Sequence, residues 1–191
     1  NSAYNMIKES PITTNRLILR TLVEKDASQE YFDWLNDVDT TRYLEVRFSP
    51  PKDLATLSEF IHSINESDNT LLFGIFLKGD DSRHIGNIKV GPISYEHGRA
   101  DLGFLIGNKN DCGNGYATEA VKAIIQYLVL ELKLVKIIAG CYESNVGSAR
   151  VLEKVGFVKD AQLDSHWLCE GYRENGIMYS IISLDFELFI K

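Results

Sequence analysis

A single change of period does most to restrict what this chain can become. Between Thr70 and Ile106 the apolar residues fall into three short runs, Thr70–Leu77, His84–Tyr95 and Ala100–Ile106. The turn formers Gly79-Asp80-Asp81-Ser82 and the link Glu96-His97-Gly98-Arg99 separate them, which predicts an antiparallel meander. From Tyr116 to Leu132 the pattern switches. Ala117, Ala120, Val121, Ile124, Leu128 and Leu132 recur at intervals of three and four residues, the stripe of a long amphipathic helix. A chain that makes this switch lays a helix stripe on a sheet face, so all-α and all-β architectures are both excluded.

The flanking segments extend the same plan. Thr13–Leu22 predicts a first strand, and Glu24–Asn36 a helix with Ala27, Tyr31, Trp34 and Leu35 on one side. Pro50 and Pro51 open a second helix running to about Glu66, with Leu54, Leu57, Ile61 and Ile64 at helical spacing. Val135–Tyr142 reads as a buried strand, and Asn145 caps a helix that stops at Gly156. Phe157–Leu168 and Ile177–Ile190 predict two final strands. The result is a mixed α/β (α+β) arrangement, and 191 residues suit one domain. That domain is expected over residues 6–191, with residues 1–5, ahead of Met6, a remnant outside it.

Composition narrows the function. A net charge of −7 argues against a nucleic-acid partner, because phosphate neutralisation needs clustered Lys and Arg. Cys112, Cys141 and Cys169 show no metal-ligand spacing and no even pairing, so neither a metal site nor a disulfide framework is expected. A reducing, cytoplasmic setting follows. Asn1–Glu9 has neither a basic start nor an apolar run, so no signal peptide is expected, and Leu128–Ile138 is interrupted by Glu131, Lys133 and Lys136, so no membrane span is expected.

The informative loop is Asp111-Cys112-Gly113-Asn114-Gly115-Tyr116-Ala117-Thr118, which leaves a strand and enters the long helix. A helix start offers unpaired N–H groups and the positive dipole end, and glycines let backbone approach a pyrophosphate. The Lys-Ser/Thr ending of a triphosphate loop and the dinucleotide fingerprint are both absent. By itself such a loop is equally a pair of turn glycines.

Its surroundings resemble the GCN5-related N-acetyltransferase (GNAT) superfamily, in the bacterial-type branch of ribosomal-protein and spermidine acetyltransferases. Thr14-Asn15-Arg16-Leu17-Ile18-Leu19-Arg20 is similar to that branch's opening strand, and Gly115-Tyr116-Ala117-Thr118-Glu119-Ala120 to its coenzyme loop and helix. Asn145 with Ser148, followed by Val151-Leu152-Glu153-Lys154-Val155-Gly156-Phe157, is similar to its next signature. The resemblance implies a mostly antiparallel sheet of about seven strands, the fourth and fifth splayed apart, flanked by about four helices. It implies acetyl-CoA as co-substrate, no metal, and a small amine or a protein N-terminus as acceptor. A homodimer is expected by analogy.

Carried over by position, the resemblance implies that Cys112, Gly113, Asn114, Gly115, Tyr116, Ala117 and Thr118 hold the pyrophosphate. A backbone N–H within Phe104, Leu105 and Ile106 polarises the thioester, Asn145 bonds the pantetheine arm, and Ser148 serves the departing thiolate. Cys112 stands where the family usually has Arg, Gln or Trp; a covalent acetyl carrier is the alternative reading of that thiol. Where relatives place a carboxylate base this chain has Trp167, so Glu45 and Tyr179 are the candidates for moving the proton, and His166, its strand neighbour, faces the other side. Trp34, Asn36, Arg42, Tyr43 and Trp167 are the expected acceptor-pocket residues, although a capped helix pair with a solvated face would use the first four equally well. The missing carboxylate also leaves open a non-catalytic acyl-CoA-binding or regulatory module.

Overall fold

The computed structural model describes residues 2–184. Among them, five helices and eight strands form one open sheet in the order β1-β2-β3-β4-β5-β6-β8-β7. The strands are β1 (Ile12–Thr13), β2 (Leu17–Thr21), β3 (Leu71–Leu77), β4 (His84–Ser94), β5 (Arg99–Ile106), β6 (Lys136–Tyr142), β7 (Val158–Cys169) and β8 (Tyr172–Ile182). The helices are α1 (Ser2–Met6), α2 (Gln29–Asn36), α3 (Leu54–Asn65), α4 (Tyr116–Leu130) and α5 (Val146–Val155). This is the expected mixed α/β fold, with one strand and one helix more.

The extra strand arises where one continuous strand was expected over Thr13–Leu22. The Leu17 N–H donates to Thr14 Oγ1 at 3.0 Å and the Thr14 N–H to the Leu17 carbonyl at 2.9 Å, closing a turn. The chain folds back there, pairing Ile12 with Leu19 and Thr13 with Ile18. The extra helix is α1, whose Tyr4 is 3% exposed and donates its hydroxyl to the Ser67 and Thr70 carbonyls. The core therefore reaches into residues read from the sequence as outside the domain.

Local capping moves other boundaries. The expected helix from Glu24 breaks after a 3-10 turn at Glu24–Asp26, because Ser28 caps a new start by accepting from the Tyr31 N–H at 3.1 Å. Pro50 and Pro51 do not open α3; Asp53 does, accepting from the Thr56 N–H at 2.7 Å. The last expected strand is longer at its start, running from Tyr172, and residues 185–190 of it lie outside the described residues.

The long central helix α4 lies on the sheet as its stripe requires. Val121, Ile124, Ile125 and Leu128 have no exposed surface. Each such burial contributes roughly 1.5–3 kcal/mol, so this stripe fixes where the start of α4 sits relative to the strands.

One seam in the sheet is unusual. β5 and β6 are its parallel pair, and they match only over Arg99–Asp101 with Lys136–Ile138. Beyond that point β5 stays paired with β4 to Ile106 and β6 stays paired with β8 to Tyr142. Both strands continue while the space between them opens. This is the splay implied for the fourth and fifth strands, counting β1 and β2 as one.

Candidate active site

The opened seam leads into a cavity of about 720 Å³. Its walls include Leu102, Gly103, Phe104 and Leu105 from β5 and Ala139, Gly140, Cys141 and Tyr142 from β6, which are the residues just past the last matched pair. Backbone groups of β5 and β6 that would have bonded across the seam are left to meet something else. The β4 register gives β5 its rigidity, so those groups are held in place rather than free to collapse.

The start of α5 closes one side. Asn145 caps it, its Oδ1 accepting from the Ser148 N–H at 3.2 Å and its Nδ2 donating to Ser148 Oγ at 3.0 Å. Both residues line the cavity. Because the Ser148 oxygen already receives a hydrogen bond, its own hydroxyl proton remains available to donate.

Tyr43, Tyr142 and Trp167 build an aromatic wall. Trp167 stacks on Tyr142 with ring centroids 4.6 Å apart, and Tyr43 tilts against Tyr142 at 5.3 Å. A side chain at Gly176 would come within 2.9 Å of the Trp167 ring and one at Gly140 within 3.0 Å, so the two glycines make the bed for the indole. The Tyr43 hydroxyl and Ser144 Oγ share a hydrogen bond of 2.9 Å. Arg47 stitches this wall, donating to the Tyr142 hydroxyl at 3.0 Å and to the Leu168 carbonyl. Glu45, exposed at the start of a 3-10 turn, lines the same cavity.

Seven expected site residues, Phe104, Leu105, Asn145, Ser148, Glu45, Tyr43 and Trp167, are thus brought to one cavity. Others lie elsewhere. Tyr179 is 3% exposed, bonds Glu153 at 3.4 Å and is not among the lining residues; burial pushes its phenol up. Trp34 is buried in the core, with its indole N–H unpartnered. Asn36 and Arg42 line a second cavity of about 400 Å³, where Arg42 pairs with Glu170 at 3.0 Å.

The glycine loop is held by contacts that its own sequence does not announce. Arg83 grips Asp111 through two hydrogen bonds of 2.8 Å, and its guanidinium holds that carboxyl below the usual carboxylate range. Gly107, where the loop begins, lies over Trp34; a side chain there would meet the indole at 2.0 Å. Gly113 and Gly115 take φ of +77° and +80°, which favours glycine at both. Arg16 stacks on Tyr116, donates to the Asn114 carbonyl at 2.9 Å and pairs with Glu119 at 2.8 Å. Burial works against the Glu119 charge, yet hydrogen bonds from Thr14 and Arg16 outweigh it and keep the carboxyl low.

This scaffolding leaves the start of α4 open. α2, α3 and α5 each have a side chain capping the first turn, whereas Gly115 brings none to α4. The first-turn N–H groups of a 15-residue helix therefore point outward with the positive dipole end behind them. Cys112 is exposed beside them, its thiol pushed up by burial of its sulfur side and by Asp111. Cys141, in the cavity wall, is pushed up to about 11 by burial. Neither thiol is a ready thiolate at neutral pH.

Residues 16–158 match the acetyltransferase (GNAT) domain. The chain belongs to the GNAT family. Among its relatives, the GNAT chain is 29% identical over 176 residues to the uncharacterized N-acetyltransferase p20 of Bacillus licheniformis, covering 91% of this chain and 96% of that one. It is 32% identical to the uncharacterized N-acetyltransferase YnaD of Bacillus subtilis (strain 168), covering 78% and 83%. A GNAT-family acetyltransferase from Bacillus anthracis superposes with a TM-score of 0.78 at 23% identity, covering 92% and 99%. A spermidine N-acetyltransferase from Vibrio cholerae, solved with CoA and spermine, superposes at 0.80 with 20% identity, covering 91% and 99%. At such identities the two structures establish a shared fold. A GNAT N-acetyltransferase takes its acyl group from acetyl-CoA. Among the described residues no cluster of metal-ligating side chains occurs, and no helix is long and apolar enough to cross a membrane.

Proposed function

We propose that this GNAT chain transfers acetyl from acetyl-CoA to a primary amine, a small molecule or a protein N-terminus, by direct attack with both substrates bound. The observation that carries the reading is the cavity whose walls begin where β5 and β6 lose each other, with Ser148 and Glu45 both facing it. In this reading Cys112–Thr118 hold the pyrophosphate through main-chain N–H groups, and Asn145 bonds the pantetheine arm. Acetyl-CoA supplies a thioester, whose carbonyl carbon the amine attacks.

The chain's own residues then have separate tasks. A backbone N–H within Phe104–Ile106 stabilises the developing oxyanion from a strand that β4 keeps rigid. An alkylamine is mostly protonated at neutral pH, since its pKa is about 10. Glu45, the carboxylate in the cavity, takes that proton directly or through water. Ser148 gives its hydroxyl proton toward the departing sulfur. Tyr179 is given no step in this reading, since it is buried, bonds Glu153 at 3.4 Å and lies outside the cavity lining.

Calorimetry with acetyl-CoA and with free CoA tests the coenzyme half of the reading. Gly115→Asp should weaken binding at least about 100-fold, since it adds a carboxylate at the helix start and imposes a side chain on a φ of +80°. Unchanged affinity in that variant removes the loop from the site. Coenzyme binding with no turnover on any amine would leave the non-catalytic module standing instead.

A further inference from the structure

Resting on the acetyltransfer reading above, we infer that the acceptor is a small primary amine with one positive charge on a bulky apolar body, and not a polyamine. The cavity continues past the seam into a lobe between the sheet and the helices α2 and α3. Tyr31, Leu35, Leu57, Phe60 and Leu72 wall that lobe. Among the described residues that line the whole cavity, Glu45 carries the one carboxylate and Lys89 the one ammonium.

Tyr31 and Asn87 of the lobe's lining, and His84 in contact with both, carry no negative charge, and Asp26, whose charge reaches Tyr31 and His84, is paired with Arg20 at 2.8 Å. Asn87 is 6% exposed, and its Oδ1 accepts from His84 Nε2 at 2.7 Å. The same nitrogen lies 2.9 Å from the Gly86 carbonyl, which fixes it as the donor. Burial pushes the His84 imidazole down and the Tyr31 phenol up, so both are neutral at physiological pH. This end offers a guest dipoles and aromatic faces, and among the described residues no carboxylate lines it.

Charge arithmetic then decides between acceptor classes. A polyamine brings several ammonium groups strung along a flexible chain. Each one taken from water into this cavity needs its own carboxylate or loses its hydration uncompensated. Glu45 answers one of them, while Lys89 repels the next. A monoamine on a ring or branched aliphatic body places its single ammonium at Glu45 and its apolar surface against Leu57, Phe60 and Leu72. It gains from burial instead of paying for it.

The test is a comparison of kcat/KM, read as CoA thiol released from acetyl-CoA, across 2-phenylethylamine, cyclohexylmethylamine, spermidine and spermine, with coenzyme affinity measured alongside by calorimetry. The apolar amines should exceed both polyamines by about 100-fold or more. Polyamine turnover equal to or above theirs overturns the inference and leaves acetyl transfer intact. Coenzyme binding without turnover of any of the four amines overturns the inference, and no coenzyme binding at all overturns acetyl transfer with it. Phe60→Asp gives an independent check at a residue that is 42% exposed and so tolerant of change. It should lower kcat/KM for 2-phenylethylamine at least about tenfold relative to spermidine, with the CoA dissociation constant moving less than about twofold. Unaltered selectivity in that variant counts against the lobe as the acceptor site.

Discussion

Ser148 shows how a residue's role depends on hydrogen bonds that leave it something to give. Asn145 Nδ2 supplies a hydrogen bond to its oxygen, so the hydroxyl proton is free to point into the cavity. Ser148→Ala should lower kcat by about ten- to a hundredfold, the low end of general-acid effects because a thiolate leaves readily. The CoA dissociation constant should hardly move. Turnover equal to that of the unaltered protein would take the serine out of the chemistry. The cap at Asn145 was readable from the residues alone, whereas Ser148 entered only through the family signature. Arg83 with Asp111 and Arg16 with Glu119 were not readable as pairs, since 28 and 103 residues separate them and only the folded sheet brings them together.

The loop between β5 and α4 is an element whose form is imposed from outside. Its glycines and its place before a helix were visible in the sequence, but the clamp that shapes it was hidden in the preceding β3–β4 turn region. Asp111 is nearly buried and Arg83 about one-third exposed, so their charged pair contributes about 1–2 kcal/mol, less than a fully buried one. Arg83→Met should therefore lower both Tm and coenzyme affinity at pH 7. The sign with pH follows from Asp111. Its folded pKa lies below its unfolded one, so its stabilising share is present above about pH 4 and is lost as pH falls through the folded value. The Tm difference between the two proteins should shrink across that range in scanning calorimetry. A difference that stays constant with pH would mean that Arg83 acts by packing alone. The capping shifts at Ser28 and Asp53 teach the same lesson, since in each case a side chain several residues inside the expected helix took over its start.

Across the whole molecule, periodicity revealed the meander, the long helix and their order, because those are properties of short windows of sequence. The parting of β5 from β6 came only through family resemblance, since nothing in either strand's pattern says where pairing with the other stops. The seam divides the sheet into β1–β5 on one side and β6–β8 on the other, joined by three matched pairs and by α4, which packs on β2 and β5 and against α5, itself in contact with β6. A coenzyme arm bound there would restore hydrogen bonds to both open edges at once. At a concentration of 100 times its dissociation constant, the ligand adds about 2.7 kcal/mol to stability, which for a chain of this length is a Tm rise of about 5–10 °C. That rise alone does not locate the ligand. Hydrogen exchange does, because amides facing the seam at 102–106 and 139–142 should slow on adding CoA while those on the outer edge of β7 keep their free rate. Slowing confined to the loop at 112–118, with the seam unchanged, would mean that the coenzyme is gripped at its phosphates and its thioester never enters between the strands.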